Sequence, residues 1–285
     1  MVKGFICERT GERMAFEDCL DCAMSRVNRK LDCPFDEATI LGMIANQEVR
    51  EEISVTMISG CHRGVFISQN YDYYIRPSQA YWAFRGQIAH RICQDLELQR
   101  DAVKEKAFYK EWEGIKVKGT PDLIIPSQKV LKDYKTTKAV PSYLNKDGQI
   151  LAYENHRIQT NLYRWLVPYP IETLEVVYFS MEGTLICPVE LWPEEPKRKS
   201  EMTVDQYFVR ELIPLKMALD SGTMPPYRRG WLCDGYCEVK EICFQELKQE
   251  ITAARLRVVK PKRNQGGKNH GKDSSLKEGR ADLAA

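Results

Sequence analysis

The pattern of apolar and polar positions predicts helices alternating with strands along most of the chain. Apolar residues recur at helical spacing in five segments, near 36–49, 54–60, 78–99, 147–168 and 203–221. Strand patterns fall within 103–126 and 129–136 and near 173–181 and 184–190. Ser54 is placed to cap the second helix. Helices interspersed with strands predict an α/β fold, with a mixed central sheet flanked by helices.

The segment GTPDLIIPSQKVLKDYKTTK predicts a hairpin with charged residues at its ends. A turn at 126–127 separates two strands, with Asp122 near the first and Asp133 and Lys135 on the second. Side chains alternate faces along a strand, so Asp133 and Lys135 point one way and Tyr134 the other. The hairpin is therefore expected to gather two carboxylates and one ammonium group.

This combination of groups suits metal-assisted hydrolysis of a phosphodiester. Carboxylate oxygens are the ligands that Mg²⁺ prefers, and a lysine orients the attacking water and stabilises developing negative charge. Asp-x-Lys by itself is a common surface pattern, and a hairpin with charged ends is its ordinary explanation. The flanking segments distinguish a metal-dependent hydrolytic site from a surface hairpin with charged ends.

Both flanking segments are predicted helices that carry polar side chains in a regular order. The upstream helix contains Gly86 and, four residues later, His90. The downstream helix contains Gln159 and Tyr163, also four residues apart and so on one face. A single histidine or a Gln/Tyr pair usually has a structural role. The evidence for a functional role is therefore the order in which these residues occur around the hairpin.

That order resembles the RecB-like, CRISPR-associated exonuclease-like branch of the PD-(D/E)XK nuclease superfamily. The family motifs are Gly-x-x-x-His, Pro-Asp, Asp-x-Lys and Gln-x-x-x-Tyr. Here they stand as Gly86 to His90, Pro121-Asp122, Asp133 to Lys135 and Gln159 to Tyr163. Gln149 to Tyr153 matches the last motif too, but the longer amphipathic helix favours Gln159. The resemblance covers residues 52 to 245 and implies a restriction-endonuclease-like core.

The resemblance also implies a role for each residue. The implied metal ligands are Asp122, Asp133, the backbone carbonyl of Tyr134, and His90. Either Mg²⁺ or Mn²⁺ would be held, and an imidazole ligand suits Mn²⁺ better. Lys135 would position the nucleophilic water. Gln159 and Tyr163 would hold the DNA backbone or support the lysine.

Four of the ten cysteines extend the resemblance. Without a secretory apolar core at the N-terminus, this many cysteines favour metal binding over disulfides. The family places one cysteine before the nuclease motifs and three after them, and here these are Cys61, Cys233, Cys237 and Cys243. They imply a [4Fe-4S] cluster that joins the two ends of the domain. The three-residue gap between Cys233 and Cys237 departs from the commoner two, and Zn²⁺ in the same cage is the alternative.

Four more cysteines lie near the N-terminus, at Cys7, Cys19, Cys22 and Cys33. One close pair flanked by two single cysteines predicts a structural Zn²⁺ site in a segment too short to bury much core. A second iron–sulfur site and free thiols are the alternatives. Cys93 and Cys187 stand in apolar runs and are expected to be buried core thiols.

Composition divides the 285 residues into three parts. These are a cysteine-rich module at 1–50, a nuclease domain at 51–250 and a basic flexible tail at 251–285. The tail has nine Lys and Arg against three Asp and Glu, which favours sequence-independent attraction to phosphates, although a merely solvated terminus is equally consistent. No apolar run approaches the ~20 residues of a membrane span, and we expect a cytoplasmic protein.

The sequence thus predicts a metal-dependent DNA nuclease, an exonuclease that acts on single-stranded or frayed DNA. No phosphate-binding loop of a helicase motor is found, so unwinding would need a partner such as a helicase or a CRISPR adaptation component. One alternative is a non-catalytic DNA-binding or assembly subunit of a repair or CRISPR complex. Another is a structure-specific endonuclease of the same superfamily.

Overall fold

The computed structural model describes residues 1–25, 33–45, 47, 52–96, 101–145, 147–230, 233 and 237–258, without the side chains of 93–96 and 253–258. The strands are β1 Val2–Ile6, β2 Arg13–Ala15, β3 Tyr73–Ile75, β4 Val103–Lys104, β5 Phe108–Trp112, β6 Ile115–Gly119, β7 Leu123–Ile125, β8 Val130–Thr136, β9 Thr173–Ser180 and β10 Gly183–Val189. The helices are α1 Phe16–Met24, α2 Glu37–Ala45, α3 Val55–Ile58, α4 His62–Asn70, α5 Pro77–Leu96, α6 Glu154–Leu166, α7 Val204–Tyr207, α8 Ile213–Ser221 and α9 Lys240–Val258.

The central sheet has five strands in the order β10-β9-β8-β7-β4. β8 and β9 are parallel, and the other neighbours are antiparallel. The sheet, α3 and α6 enclose the larger core, which includes Ile58, Leu131, Leu162 and Val176. Mixed strand directions with helices on the sheet confirm the predicted α/β class.

A second sheet, β2-β1-β3, joins the N-terminal residues to the middle of the chain. β1 is parallel to β3, and Phe5, Ile40 and Met43 share a core with Ile75 and Val239. The predicted 1–50 module is therefore linked to later residues by both a sheet and a core. Its division from them at residue 50 stays a prediction.

The chain separates into two compact units, Met1–Leu247 and Lys248–Ala285. In the second unit the structure describes only the helical residues up to Val258, so the first part of the predicted tail is helical and the rest lies outside the described residues. No helix within the described ranges is both long and apolar enough to span a bilayer.

Most predicted elements are present, and the Ser54 cap is confirmed, since its hydroxyl accepts a hydrogen bond from the Met57 amide at 3.3 Å. The helix predicted near 147–168 begins later, at α6. Asn145 explains the difference, because its side-chain oxygen accepts from the amides of Asp147 at 2.9 Å and Gln149 at 2.8 Å. This local turn competes with helix formation.

The long helix predicted at 203–221 is also not continuous. Between α7 and α8 the chain widens into a π-helical turn at Phe208–Leu212. Pro214, two residues after this turn, has no amide hydrogen to donate to it, which favours a local departure from α-helical hydrogen bonding.

Gly119 lets α6 approach the end of β6 closely. A Cβ at this position would lie 2.5 Å from Leu166 Cδ2 and 2.9 Å from Tyr163 Cε1. Such distances are impossible without movement, so any larger residue would force the side chains of Leu166 and Tyr163 to shift.

We therefore expect Gly119→Ala to destabilise the protein by about 1–3 kcal/mol through overpacking. Urea unfolding measures the change. Gly230→Ala is the control, because a Cβ at that position would meet no described atom within 4 Å beyond its chain neighbours. Equal stability of the two variants would contradict the close packing of α6.

Candidate active site

The predicted hairpin is present, formed by β7 and β8. A single 3-10 turn at Pro126–Gln128 connects them, and Lys129 closes the turn in the left-handed conformation at φ 57°. Leu123 pairs with Lys132 in the antiparallel register. One step further along this register, Asp122 and Asp133 come to the same end of the hairpin.

The two faces of β8 differ as the alternation predicts. The Tyr134 side chain packs with Leu123, Ile125 and Val177. Asp133 and Lys135 point to the opposite face, towards α6. The polar side chains are therefore held on one surface by the apolar packing on the other.

The Asp133 carboxylate is almost fully buried, with 1% of its surface exposed, and its Oδ2 lies 2.6 Å from Lys135 Nζ. Burial raises the pKa of Asp133 to about 6, although the Lys135 charge opposes the shift. Burial lowers the pKa of Lys135, but Asp133 and Asp122 outweigh it and the net direction is upward. The two side chains thus form a buried ion pair in which the lysine stays charged.

Asp122 is held beside the same strand by two contacts. Its Oδ2 accepts a hydrogen bond from the Tyr134 amide at 2.5 Å, and its Oδ1 lies 3.3 Å from His90 Nδ1. Burial raises the pKa of Asp122, but the hydrogen bond to His90 and the charge of Lys135 bring it below its usual value.

His90 reaches the hairpin from α5 and faces an oxygen at each ring nitrogen. Nε2 lies 2.7 Å from the Tyr134 carbonyl oxygen, and Nδ1 faces Asp122. Burial lowers the pKa of His90, but the bond to Asp122 and its charge raise it overall. Two acceptor oxygens around an imidazole favour its protonated form, and a cation bound among the same oxygens would replace that proton.

Glu105 is a site residue that sequence analysis missed. Its carboxylate, His90 and Asp122 each offer a ligand atom, and these atoms lie within 4.8 Å of one another. Glu105 follows the two-residue strand β4 with φ 39°, a left-handed conformation that is unusual outside glycine. Nothing in the local sequence predicts that turn, which aims the side chain at the histidine.

α6 completes the other side of the site. Gln159 Nε2 donates to the Tyr163 hydroxyl at 2.8 Å, and both side chains are buried. Burial, followed by the charge of Asp133, raises the pKa of Tyr163 to about 12, so it remains a neutral hydroxyl near Lys135. Gln149 and Tyr153, the second match to the same motif, both precede the helix.

His156 is a second residue that sequence analysis missed. Its Nδ1 lies 2.8 Å from the Tyr178 hydroxyl. Burial, together with the charge of Lys135, lowers the pKa of His156 to about 3. It is therefore a neutral histidine at neutral pH and supports the lysine side of the site without adding charge.

In each predicted cysteine group, the other three thiols are near enough to affect the pKa of one member. Burial and three neighbouring thiols raise the pKa of Cys237 to about 11, and these neighbours are Cys61, Cys233 and Cys243. Burial and three neighbours likewise raise the pKa of Cys19 to about 11, and these are Cys33, Cys22 and Cys7.

No disulfide links the described cysteines. Within the described residues no three of the sulfur atoms are as close as the ligand atoms of His90, Glu105 and Asp122. Cys187 is buried as predicted, whereas the Cys93 side chain lies outside the described residues.

A family model described as the PD-(D/E)XK nuclease superfamily matches residues 59–244. The chain belongs to this superfamily. The match includes both helices and the hairpin that form the candidate site.

Two solved structures resemble this nuclease. The crystal structure of SSO0001 has 23% sequence identity and a TM-score of 0.51, covering 72% of this chain and 93% of that one. A "Putative exonuclease" from Eubacterium rectale has 16% identity and a TM-score of 0.30, covering 72% and 79%. The first likeness supports the restriction-endonuclease-like fold. No match was found among curated proteins.

The residues of this nuclease fit a divalent cation. Asp133 Oδ2 is buried and has no aligned hydrogen-bond donor among the described residues besides its ion pair with Lys135. Among the described residues, ligand atoms of His90, Glu105 and Asp122 lie within 4.8 Å of one another; this group does not include Asp133, but the charges of Asp122 and His90 both act on the Asp133 carboxylate. Such hard oxygen donors with one nitrogen suit the Mg²⁺ or Mn²⁺ that nucleases of this superfamily usually use.

The pKa directions predict how metal binding depends on pH. Asp133, with a pKa of about 6, and His90, with a raised pKa, must both be unprotonated to ligate a cation. We expect the apparent Kd for Mn²⁺ to rise about tenfold per pH unit as pH falls through the raised pKa of His90, and more steeply below about 6, where Asp133 also takes up a proton. Calorimetric titration between pH 5 and 8 measures it. A constant Kd across this range would contradict the assignment.

Proposed function

We propose that this chain is a metal-dependent DNA exonuclease of the RecB-like branch that hydrolyses single-stranded or frayed DNA. The observation that carries the proposal is the buried contact between Asp133 and Lys135, next to Asp122 and His90. A surface hairpin with charged ends, the ordinary alternative, would leave these groups in solvent. Burying a carboxylate costs several kcal/mol, so its retention here favours a functional requirement.

Each residue then has a definite task. Asp122, Asp133, His90 and the Tyr134 carbonyl would hold Mg²⁺ or Mn²⁺, with Glu105 as a further ligand. The bound cation would lower the pKa of a water and stabilise charge on the phosphate. The Lys135 ammonium would orient the water and stabilise the developing negative charge.

Gln159 and Tyr163 would hold Lys135 in place. The Tyr163 hydroxyl is neutral and lies in the same buried surface as the ion pair, where Gln159 fixes its direction. In this arrangement Gln159 and Tyr163 would limit the motion of the Lys135 side chain and exclude water from its methylene groups. The alternative role, contact with the DNA backbone, would require these buried side chains to become accessible.

The decisive variant is Lys135→Ala. We expect at least a hundredfold lower rate on end-labelled linear single-stranded DNA with Mn²⁺, since the charge that positions the water is lost. Lys132→Ala is the matched control, because Lys132 also lies on β8 but pairs with Glu175 at 3.3 Å. Equal rates for the two variants would contradict the proposed role of Lys135.

Circular single-stranded DNA separates the exonuclease from the endonuclease alternative. An exonuclease needs an end and leaves the circle intact, whereas an endonuclease linearises it. We expect intact circles under conditions in which the linear strand of the same sequence is degraded. Cleaved circles would assign the site to an endonuclease.

We further propose that Cys61, Cys233, Cys237 and Cys243 hold a [4Fe-4S] cluster. Burial raises the pKa of Cys243, and the buried side chain of Arg63 opposes this shift through a hydrogen bond and its positive charge. A buried guanidinium would offset the negative charge of the thiolates. Four cysteine thiolates are the usual ligands of a [4Fe-4S] cluster.

We propose a structural Zn²⁺ for Cys7, Cys19, Cys22 and Cys33. Backbone amides at Thr10 and Arg9 donate to the Cys7 thiol and lower its pKa, although burial opposes them. Donation of this kind stabilises a thiolate, which is the form that binds metal. A closed site requires Zn–S distances of about 2.3 Å, so the sulfur atoms would draw together on binding.

Both cysteine groups contact the start of α5, the helix that carries His90. Glu8, next to Cys7, accepts a hydrogen bond from the Ser78 amide at 2.9 Å. Gln79 donates to the Cys237 carbonyl oxygen at 3.4 Å. Metal bound at either group would therefore hold the helix that delivers the histidine.

Metal analysis of purified protein tests both assignments. We expect Cys237→Ser to lose iron and visible absorbance, and Cys19→Ser to lose zinc, since each removes one thiolate of four. Cys187→Ala is the control, because that thiol is fully buried away from both groups and its loss affects only packing. Unchanged metal content in either serine variant would contradict the corresponding site.

A further inference from the structure

One face of α5 follows β8, starting at His90 in the candidate site and leading away from it towards the N-terminal end of the helix. Trp82, Gly86 and His90 are four residues apart and lie on this face. His90 contacts the Tyr134 carbonyl at 2.7 Å, and a Cβ at Gly86 would lie 3.4 Å from Thr136 Oγ1. The two elements therefore stay in contact beyond the site, up to Trp82.

Two cations meet at the indole ring of Trp82. The Arg85 guanidinium lies 4.8 Å from the ring centroid, and the Lys138 ammonium lies 4.6 Å from it. Cation–π attraction of about 0.5–1 kcal/mol each holds two like charges together near the surface. Lys138 is exposed and Arg85 half-buried, so solvent reaches both side chains.

Arg85 has no opposing carboxylate in the part of the chain that the structure describes. Its side chain contacts Met181 Sδ at 3.9 Å, and no acidic group of the described residues lies within ion-pair distance of it. The contrast is the aromatic–lysine cluster at Tyr109. There Lys116 lies 4.4 Å from the ring but also pairs with Glu52 at 3.2 Å. Glu52 thus neutralises the charge of Lys116 at Tyr109, whereas no carboxylate of the described residues neutralises the charge of Arg85 at Trp82.

The Trp82 cluster lies within reach of a strand bound at the catalytic site. Eight residues of helix separate Trp82 from His90, a rise of about 12 Å. That distance corresponds to a few nucleotides of DNA. Arg and aromatic side chains in one row are typical of grooves that follow a single nucleic-acid backbone.

We propose that Arg85 and Lys138, held together by Trp82, bind a backbone phosphate of single-stranded DNA a few nucleotides from the bond that is cleaved. The inference rests on the proposed nuclease function and adds a substrate-binding subsite to it. The strand would follow α5 and β8 from this subsite to the hairpin of Asp122 and Asp133.

Binding without cleavage tests the subsite. Fluorescence anisotropy of a labelled oligothymidylate, with no Mg²⁺ or Mn²⁺ added and no chelator, measures affinity at several salt concentrations. We expect Arg85→Ala with Lys138→Ala to weaken binding roughly fivefold per cation and to reduce the salt slope by about 0.7 for each. Lys116→Ala should leave the affinity and the salt slope unchanged. Arg85→Lys keeps the positive charge and should therefore have a salt slope close to that of the wild type.

Kinetics separate a binding role from a distorted site. With Mn²⁺, the double variant should show a raised KM and a nearly unchanged kcat, because His90 and the hairpin are untouched. An unchanged affinity and salt slope would overturn the subsite while leaving the nuclease proposal intact. Loss of kcat alone would also overturn it, since that result indicates displacement of His90. A wild-type protein that neither binds nor cleaves the strand would overturn both proposals.

Discussion

The burial of the Asp133 carboxylate is the constraint on which the rest of the site depends. Only 1% of this residue is exposed, and its charge would be strongly unfavourable without compensation. Lys135 provides one positive charge at 2.6 Å, and a divalent cation would provide the other. The raised pKa of Asp133, about 6, reflects incomplete compensation by the protein alone. The metal ion proposed for this site would supply the compensation that the protein alone does not.

The fold brings three elements to this carboxylate. The hairpin of β7 and β8 contributes the aspartates and the lysine, α5 brings His90 to one face, and α6 brings Tyr163 to the other. Gly119 allows α6 to approach, because a side chain there would meet Tyr163. Asp133, Lys135, His90 and Tyr163 lie on regular elements and Asp122 directly precedes β7, which gives the site more precise geometry than mobile loops would.

The hairpin could be predicted from sequence because its chemistry is local. Strand alternation alone places Asp133 and Lys135 together, and the turn follows from Pro126. Glu105 could not be predicted, since its direction depends on a left-handed residue at the end of a two-residue strand. The start of α6 was predicted too early, because side-chain hydrogen bonds at Asn145 compete with helical ones. The spacing of apolar residues carries no information about the backbone turn at Glu105 or about the side-chain hydrogen bonds of Asn145.

The most direct test of this account is the position of Mn²⁺ in a crystal of the protein, located by its anomalous scattering. The account predicts a peak that contacts carboxylate oxygens of both Asp122 and Asp133 and the carbonyl oxygen of Tyr134, next to Lys135. A peak bound only at other residues, or none at saturating Mn²⁺, would contradict the claim that this hairpin forms a metal-dependent hydrolytic site.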